Sequence, residues 1–166
     1  KLLRVAEVLK TTPGELFAKA ESSMREIRDL HQAIERMKDK LFAGDVDSLM
    51  FSAKSVSGLK VVTASRENMD ANDLRKLGDF LRDKDANTVA VLSTVNGEKV
   101  TLLAVCGKNA VAHGIKAGDI IRSIAPIVGG KGGGKPDSAM GGGTNVLKVD
   151  DALAAVDDFV AANAKD

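Results

Sequence analysis

Eight of the fifteen residues from 129 to 143 are glycine, in the run Gly129-Gly130-Lys131-Gly132-Gly133-Gly134-Lys135-Pro136-Asp137 followed by Gly141-Gly142-Gly143. Glycine loses the most backbone entropy on folding and brings no side chain to a core. Such density inside an apolar-rich domain therefore requires the main chain to approach something closely. Lys131 and Lys135 suggest that this something is anionic. A flexible linker is the bland alternative, but the run contains almost no serine and patterned segments of one domain flank it on both sides. A phosphate loop, G-x-x-x-x-G-K-[ST], fits Gly129, Gly134 and Lys135 and then fails at Pro136, where a hydroxyl would hold magnesium. The residues before the run also have helical rather than strand spacing, at Ile120, Ile121, Ile124, Ile127 and Val128. No register satisfies G-x-G-x-x-G, so a dinucleotide fingerprint is absent as well.

The pattern changes near Gly44 and predicts a helical part, 1–44, and a globular part, 45–166. Leu2, Leu3, Val5, Ala6 and Leu9 make a short amphipathic segment. Thr12, Pro13 and Glu15 then read as the N-cap, first residue and capping-box partner of a helix over 13–43, with Gly44 at its C-terminal cap. Its apolar residues Phe17, Ala20, Met24, Ile27, Leu30, Ile34, Met37 and Leu41 form a heptad seam with one phase slip between Ile27 and Leu30. A helix cannot bury a narrow stripe on itself. The partner is the first helix, which is too short to cover it all, a second copy of the chain, or another part of a longer protein. Met24, Ile27, Leu30, Ile34, Met37 and Leu41 are thus the candidate tether or dimer residues. His31, beside the seam, has no second ligand spaced to join it in a metal site.

Beyond Gly44 the spacing predicts strands at 49–56 and 59–64 joined around Gly58. A helix capped by Asp70 or Asn72 and ending near 84 should follow, with Leu74, Leu77, Phe80 and Leu81 inward. Strands at 88–95 and 99–105 flank Asn96-Gly97, a strong hairpin signal, and both are so apolar that each sheet face should be covered. A helix over 116–128, the glycine loop, a strand at 144–149 and a helix from Asp150 complete the expectation. The fold class is α/β: a long N-terminal helix in a coiled-coil-like hairpin, then a compact globule with a mixed β-sheet flanked by helices.

Net charge is only +1, which alone points to no nucleic acid. Its distribution is more telling. Lys99, Lys108, Lys116, Arg122, Lys131 and Lys135 fall between 99 and 136 against Asp119 alone, whereas the tail holds Asp150, Asp151, Asp157, Asp158 and Asp166. This segregation predicts one positive face, with an ordinary solvated surface as the alternative reading. The single cysteine, Cys106, excludes an internal disulfide and reads as a buried small hydrophobe. There is no H-E-x-x-H, no His and Cys cluster and no G-x-S-x-G, and Asp70, Asp73 and Asp79 read as cap and solvated face, so no catalytic constellation is present. Five phenylalanines with no Trp or Tyr are too few for a base-stacking platform, which leaves shape, phosphates, sugar hydroxyls and main-chain amides as means of RNA recognition. With no signal peptide and no apolar run of the ~20 residues that span a bilayer, a cytoplasmic location is expected. The opening at Lys1, directly into an amphipathic pattern, reads as a cut within a longer chain.

The segment Gly129 to Asp137, with Ala139 and Gly141-Gly142 after it, resembles the glycine-rich signature of C-terminal domains in the alanyl-tRNA synthetase family, related to the DHH-associated domain of certain phosphoesterases. Lys135 stands where that signature commonly has arginine, keeping the charge without the bidentate fork. The resemblance implies a tRNA-binding accessory domain that touches the tRNA elbow, assists aminoacylation and editing, and in some members dimerises through its helical part. It implies as RNA-binding residues Gly129, Gly130, Lys131, Gly132, Gly133, Gly134 and Lys135, to which the charge distribution adds Lys108, Lys116 and Arg122. The implied partners are tRNA, upstream domains of a parent synthetase and a second copy of the chain. No cofactor is implied in this fragment, since ATP, magnesium and zinc would serve other domains of the parent. Two alternatives stay open: an interaction module without RNA binding, and the substrate-binding half of a DHH-type phosphoesterase.

Overall fold

The computed structural model describes all 166 residues, which divide into two compact units, Lys1–Leu41 and Phe42–Asp166. In the first unit α1 (Leu2–Val8) is followed by a 3₁₀ turn, Pro13–Glu15, that opens α2 (Leu16–Phe51). Thr12 is extended ahead of Pro13, yet its Oγ1 donates to Glu15 Oε2 at 3.0 Å and caps no backbone N–H, so a side-chain bond replaces the expected capping box. The seam of α2 is open to solvent, its large side chains exposed from 45% at Ile27 to 79% at Phe17.

α2 continues through Gly44, which corrects the helix end expected there. Phe42, Val46 and Leu49 explain it: spaced by four and three, they carry an apolar stripe past the glycine and are buried in a core they share with the sheet. Burying three such side chains outweighs an interior glycine, which costs a helix about 1 kcal/mol. The strand expected at 49–56 shrinks accordingly to β1 (Lys54–Val56), its first residues being the last turn of α2. Arg66 holds this end of α2 through a two-pronged ion pair with Asp45, and Lys84 reaches Asp47 at 2.9 Å.

β1 turns into β2 (Leu59–Glu67) through Ser57 and Gly58, both at positive φ (51° and 78°). α3 (Ala71–Lys84) starts at Asp70, whose Oδ1 accepts the Asp73 N–H at 2.7 Å, and leads to β3 (Thr88–Asn96), parallel to β2. β3 and β4 (Lys99–Cys106) form the expected hairpin, with Asn96 paired to Lys99 across Gly97 at φ 63°. After α4 (Lys108–Ala112), α5 (Ala117–Ile124) gives way to a 3₁₀ turn, Ala125–Val128, because Pro126 cannot continue the helical ladder.

The glycine run is not a loop. It makes β5 (Lys131–Gly134) and β6 (Ser138–Gly143), so that the sheet runs β1-β2-β3-β4-β6-β5 with β2 and β3 its one parallel pair. Nor is 144–149 a strand: a 3₁₀ turn, Val146–Lys148, enters α6 (Val149–Asn163), where Val149, Leu153, Val156 and Val160 share one buried stripe. α5 and α6 cover one sheet face, burying Ile120, Ile121 and Ile124. α3 and the end of α2 cover the other with Leu74, Leu77 and Leu81, each worth about 1.5–3 kcal/mol of burial. No helix is long and apolar enough to cross a membrane.

Candidate nucleic-acid interface

The close approach that the glycines demand is to the protein itself. A Cβ on Gly132 would lie 2.6 Å from Ile121 Cγ2 and one on Gly141 would lie 2.7 Å from the same atom, so α5 rests directly on the two strands. Cβ atoms on Gly130, Gly134 and Gly143 would run into Gly142 O, Ala139 Cα and Val128 O. Gly129 ends the preceding 3₁₀ turn at φ 71°. Gly133 differs: a Cβ there meets only Arg122 Nη1, at 3.5 Å.

This packing fixes which amides remain available. β6 lies between β4 and β5, whereas β5 is the edge of the sheet. The Lys135 N–H donates to Ser138 O at 2.9 Å, and since antiparallel ladders alternate, Lys131 and Gly133 bond inward to β6 while the main-chain groups of Gly132 and Gly134 face the edge. The turn at 135–137 is stapled from behind. Ala117 N–H donates to Pro136 O at 2.8 Å, Gly118 N–H to Lys135 O at 3.2 Å and Cys106 N–H to Asp137 O at 3.0 Å. These bonds occupy the first amides of α5 and hold the Lys135 backbone in place.

The basic residues singled out in the sequence gather around this edge and turn. Lys131 lies on β5, Lys135 in the turn, and Lys116 immediately before α5, all exposed. Lys108 shares a cleft with Pro136 and Asp137. The Arg122 guanidinium reaches Gly118 and Gly133 but is paired with Asp119 at 2.8 Å. Several cations elsewhere in the globule are neutralised: Lys54 by Asp157, Lys60 by Asp85, Lys84 by Asp47 and Lys148 by Asp151. Lys108, Lys116, Lys131 and Lys135 have no such partner. Unpaired cations beside a side-chain-free edge make a surface able to take phosphates.

Sequence reasoning missed one residue here. Arg75 of α3 is exposed and its Nε donates to Met140 Sδ at 2.9 Å, which brings a cation to the glycine strands from more than fifty residues upstream. No local spacing could have signalled it. Behind the turn, burial, reinforced by the Asp137 carboxylate, pushes the Cys106 thiol from its ordinary 9.0 up to about 12, so it carries no thiolate chemistry near neutrality. No group of three or more His, Cys, Asp or Glu side chains is placed to hold a metal ion.

Residues 58–162 match the DHHA1 domain. The chain belongs to the DHHA1 domain family. It is 43% identical over 154 residues to the alanine–tRNA ligase of Acetivibrio thermocellus, a match covering 92% of this chain and 18% of that protein. With the alanine–tRNA ligase of Thiobacillus denitrificans it shares 41% identity over 160 residues, covering 96% and 18%. The chain therefore spans less than a fifth of the length of these relatives. Among solved structures, the C-Ala domain of Aquifex aeolicus alanyl-tRNA synthetase has the same fold, with a TM-score of 0.63 at 24% identity over 66% of this chain and 98% of that one. The likeness of this DHHA1 domain to alanyl-tRNA synthetases thus extends well beyond the glycine signature.

Proposed function

We propose that this DHHA1 domain is the tRNA-binding accessory domain of an alanine–tRNA ligase, contacting the tRNA elbow and assisting aminoacylation and editing without doing chemistry itself. The observation that carries the reading is the set of unpaired lysines, Lys108, Lys116, Lys131 and Lys135, around the glycine edge strand and its stapled turn. Lys131 and Lys135 contact phosphates, the outward N–H groups of Gly132 and Gly134 donate to phosphate or sugar oxygens, and Lys108, Lys116 and Arg122 extend the positive field. The domain uses no cofactor in this role; ATP, magnesium and zinc belong to other parts of the ligase.

The exposed seam of α2 supports a second role for the helical unit, as tether to upstream domains and as dimer contact. Met24, Ile27, Leu30, Ile34, Met37 and Leu41 are each at least 45% exposed, and a stripe of that kind is buried by a matching helix.

Elbow recognition is tested by titrating the chain with a full tRNA, with an unrelated full tRNA and with an acceptor-stem minihelix that lacks an elbow. The proposal expects similar affinity for the two full tRNAs and much weaker binding of the minihelix. Equal binding of all three would refute the elbow, and metal-dependent hydrolysis of an oligonucleotide would favour the phosphoesterase alternative. No binding and no turnover would leave an interaction module.

A further inference from the structure

The geometry points to the α3 side of the glycine strands as the face on which the RNA lies, with Arg75 and Lys99 as additional phosphate contacts. This rests on the tRNA-binding reading above and adds which of the two faces meeting at β5 is used.

The two faces differ in what they leave open. On the α5 side Ile121 sits on Gly132 and Gly141 with no room for a methyl group. Strand register puts Lys131, Gly133, Met140 and Gly142 on the opposite side, where Met140 joins the core beneath α3. α3 lies over β3 and β4, and beyond it the surface of β6 and β5 forms a trough. Arg75 makes its wall. Lys99 lies at one end, beside Gly141, Gly142 and Gly143, and Lys135 at the other, beside Gly133 and Gly134.

The charges along this trough suit a chain of phosphates. Arg75, Lys99, Lys131 and Lys135 are in no ion pair, while Asp79 and Asp137 are both engaged by Arg82. Glu98, at the Lys99 end, is the one lining acid without an ion pair. β6 is six residues long, about 20 Å of strand, and a floor whose one large apolar side chain is Met140 lets a sugar–phosphate chain come close to the peptide planes. Cations strung along such a length match a repeating anion rather than a single small one.

The test uses the 166-residue chain and a tRNA transcript, titrated between 50 and 200 mM salt. Arg75→Ala and Lys99→Ala should each weaken binding about tenfold at low salt, the scale of one charge-assisted hydrogen bond, and lower the log–log salt slope by roughly 1. Arg75→Lys keeps the charge and should keep the slope. Gly133→Val fills the trough where a Cβ meets nothing nearer than 3.5 Å, so it should weaken binding at an unchanged melting temperature. Should loss of Arg75 unfold the chain, Lys99→Ala and Gly133→Val carry the test. Wild-type binding by Lys99→Ala and Gly133→Val, with Lys116→Ala, next to α5, impaired instead, would overturn the assignment of the face and leave tRNA binding intact. A chain that binds no tRNA at all would overturn both.

Discussion

Ile121 on α5 packs onto Gly132 of β5 so closely that a Cβ on the glycine would lie 2.6 Å from its Cγ2. Gly132→Ala must therefore push against Ile121 and against the backbone of Met140 and Gly141, and should lose about 1–3 kcal/mol, the usual range for overpacking. Gly133→Ala, one residue along and facing the other way, should be neutral or slightly stabilising, since an added methyl group there mainly restricts the unfolded chain. Urea midpoints of the two variants check this contrast, and equal losses would contradict the packing described.

Gly44→Ala should stabilise the protein by about 0.5–1 kcal/mol. The site is mid-helix and a Cβ there meets nothing within 4 Å, so alanine gains helix propensity at no steric cost. A helix ending at Gly44 with the glycine left-handed would reverse the sign, and thermal unfolding distinguishes the two.

Gly44 and the glycine run show where the sequence could and could not be read. The β3–β4 hairpin and the inward leucines of α3 were legible because apolar runs, caps and the Asn96-Gly97 turn are local signals, whereas Phe80, expected inward, is 36% exposed. Gly44 misled because a glycine after an apolar stripe looks like a cap, and only the sheet that buries Val46 and Leu49 decides otherwise. The glycine run reads as a loop in sequence because β5 and β6 have almost no side chains from which to read alternation. Their strand character comes from pairing with β4 and support from Ile121, both long-range. The lysines of the candidate interface could be named from sequence, whereas their lack of acidic neighbours and the arrival of Arg75 belong to the fold.

The Cys106 thiol should make stability fall in alkali. Its value is raised from 9.0 to about 12 on folding, chiefly by burial and then by Asp137, so the unfolded state loses its proton first. The contribution is intact below pH 9 and disappears as pH rises toward 12. Cys106→Ala should flatten that part of the stability profile while costing some packing. At neutral pH a thiol reagent should label the native chain only as fast as it opens, and immediate labelling would show that Cys106 is not buried.

The seam predicts self-association through α2. Sedimentation of the unmodified chain should show a concentration-dependent dimer, and Ile34→Asp should shift it to monomer without unfolding Phe42–Asp166, because an unpaired carboxylate in an apolar seam is costly. A monomer at every concentration would assign the seam to upstream domains of the ligase instead.

The claim that the glycine edge and its lysines bind tRNA phosphates is tested most directly by the salt dependence of tRNA affinity for the unmodified chain and for Lys131→Ala with Lys135→Ala. The double variant should bind more weakly, with a log–log slope shallower by roughly 2, one for each phosphate that a lysine no longer neutralises. Asp157→Ala, on the acidic α6, should leave affinity undiminished. An unchanged affinity and slope in a folded double variant would contradict the account.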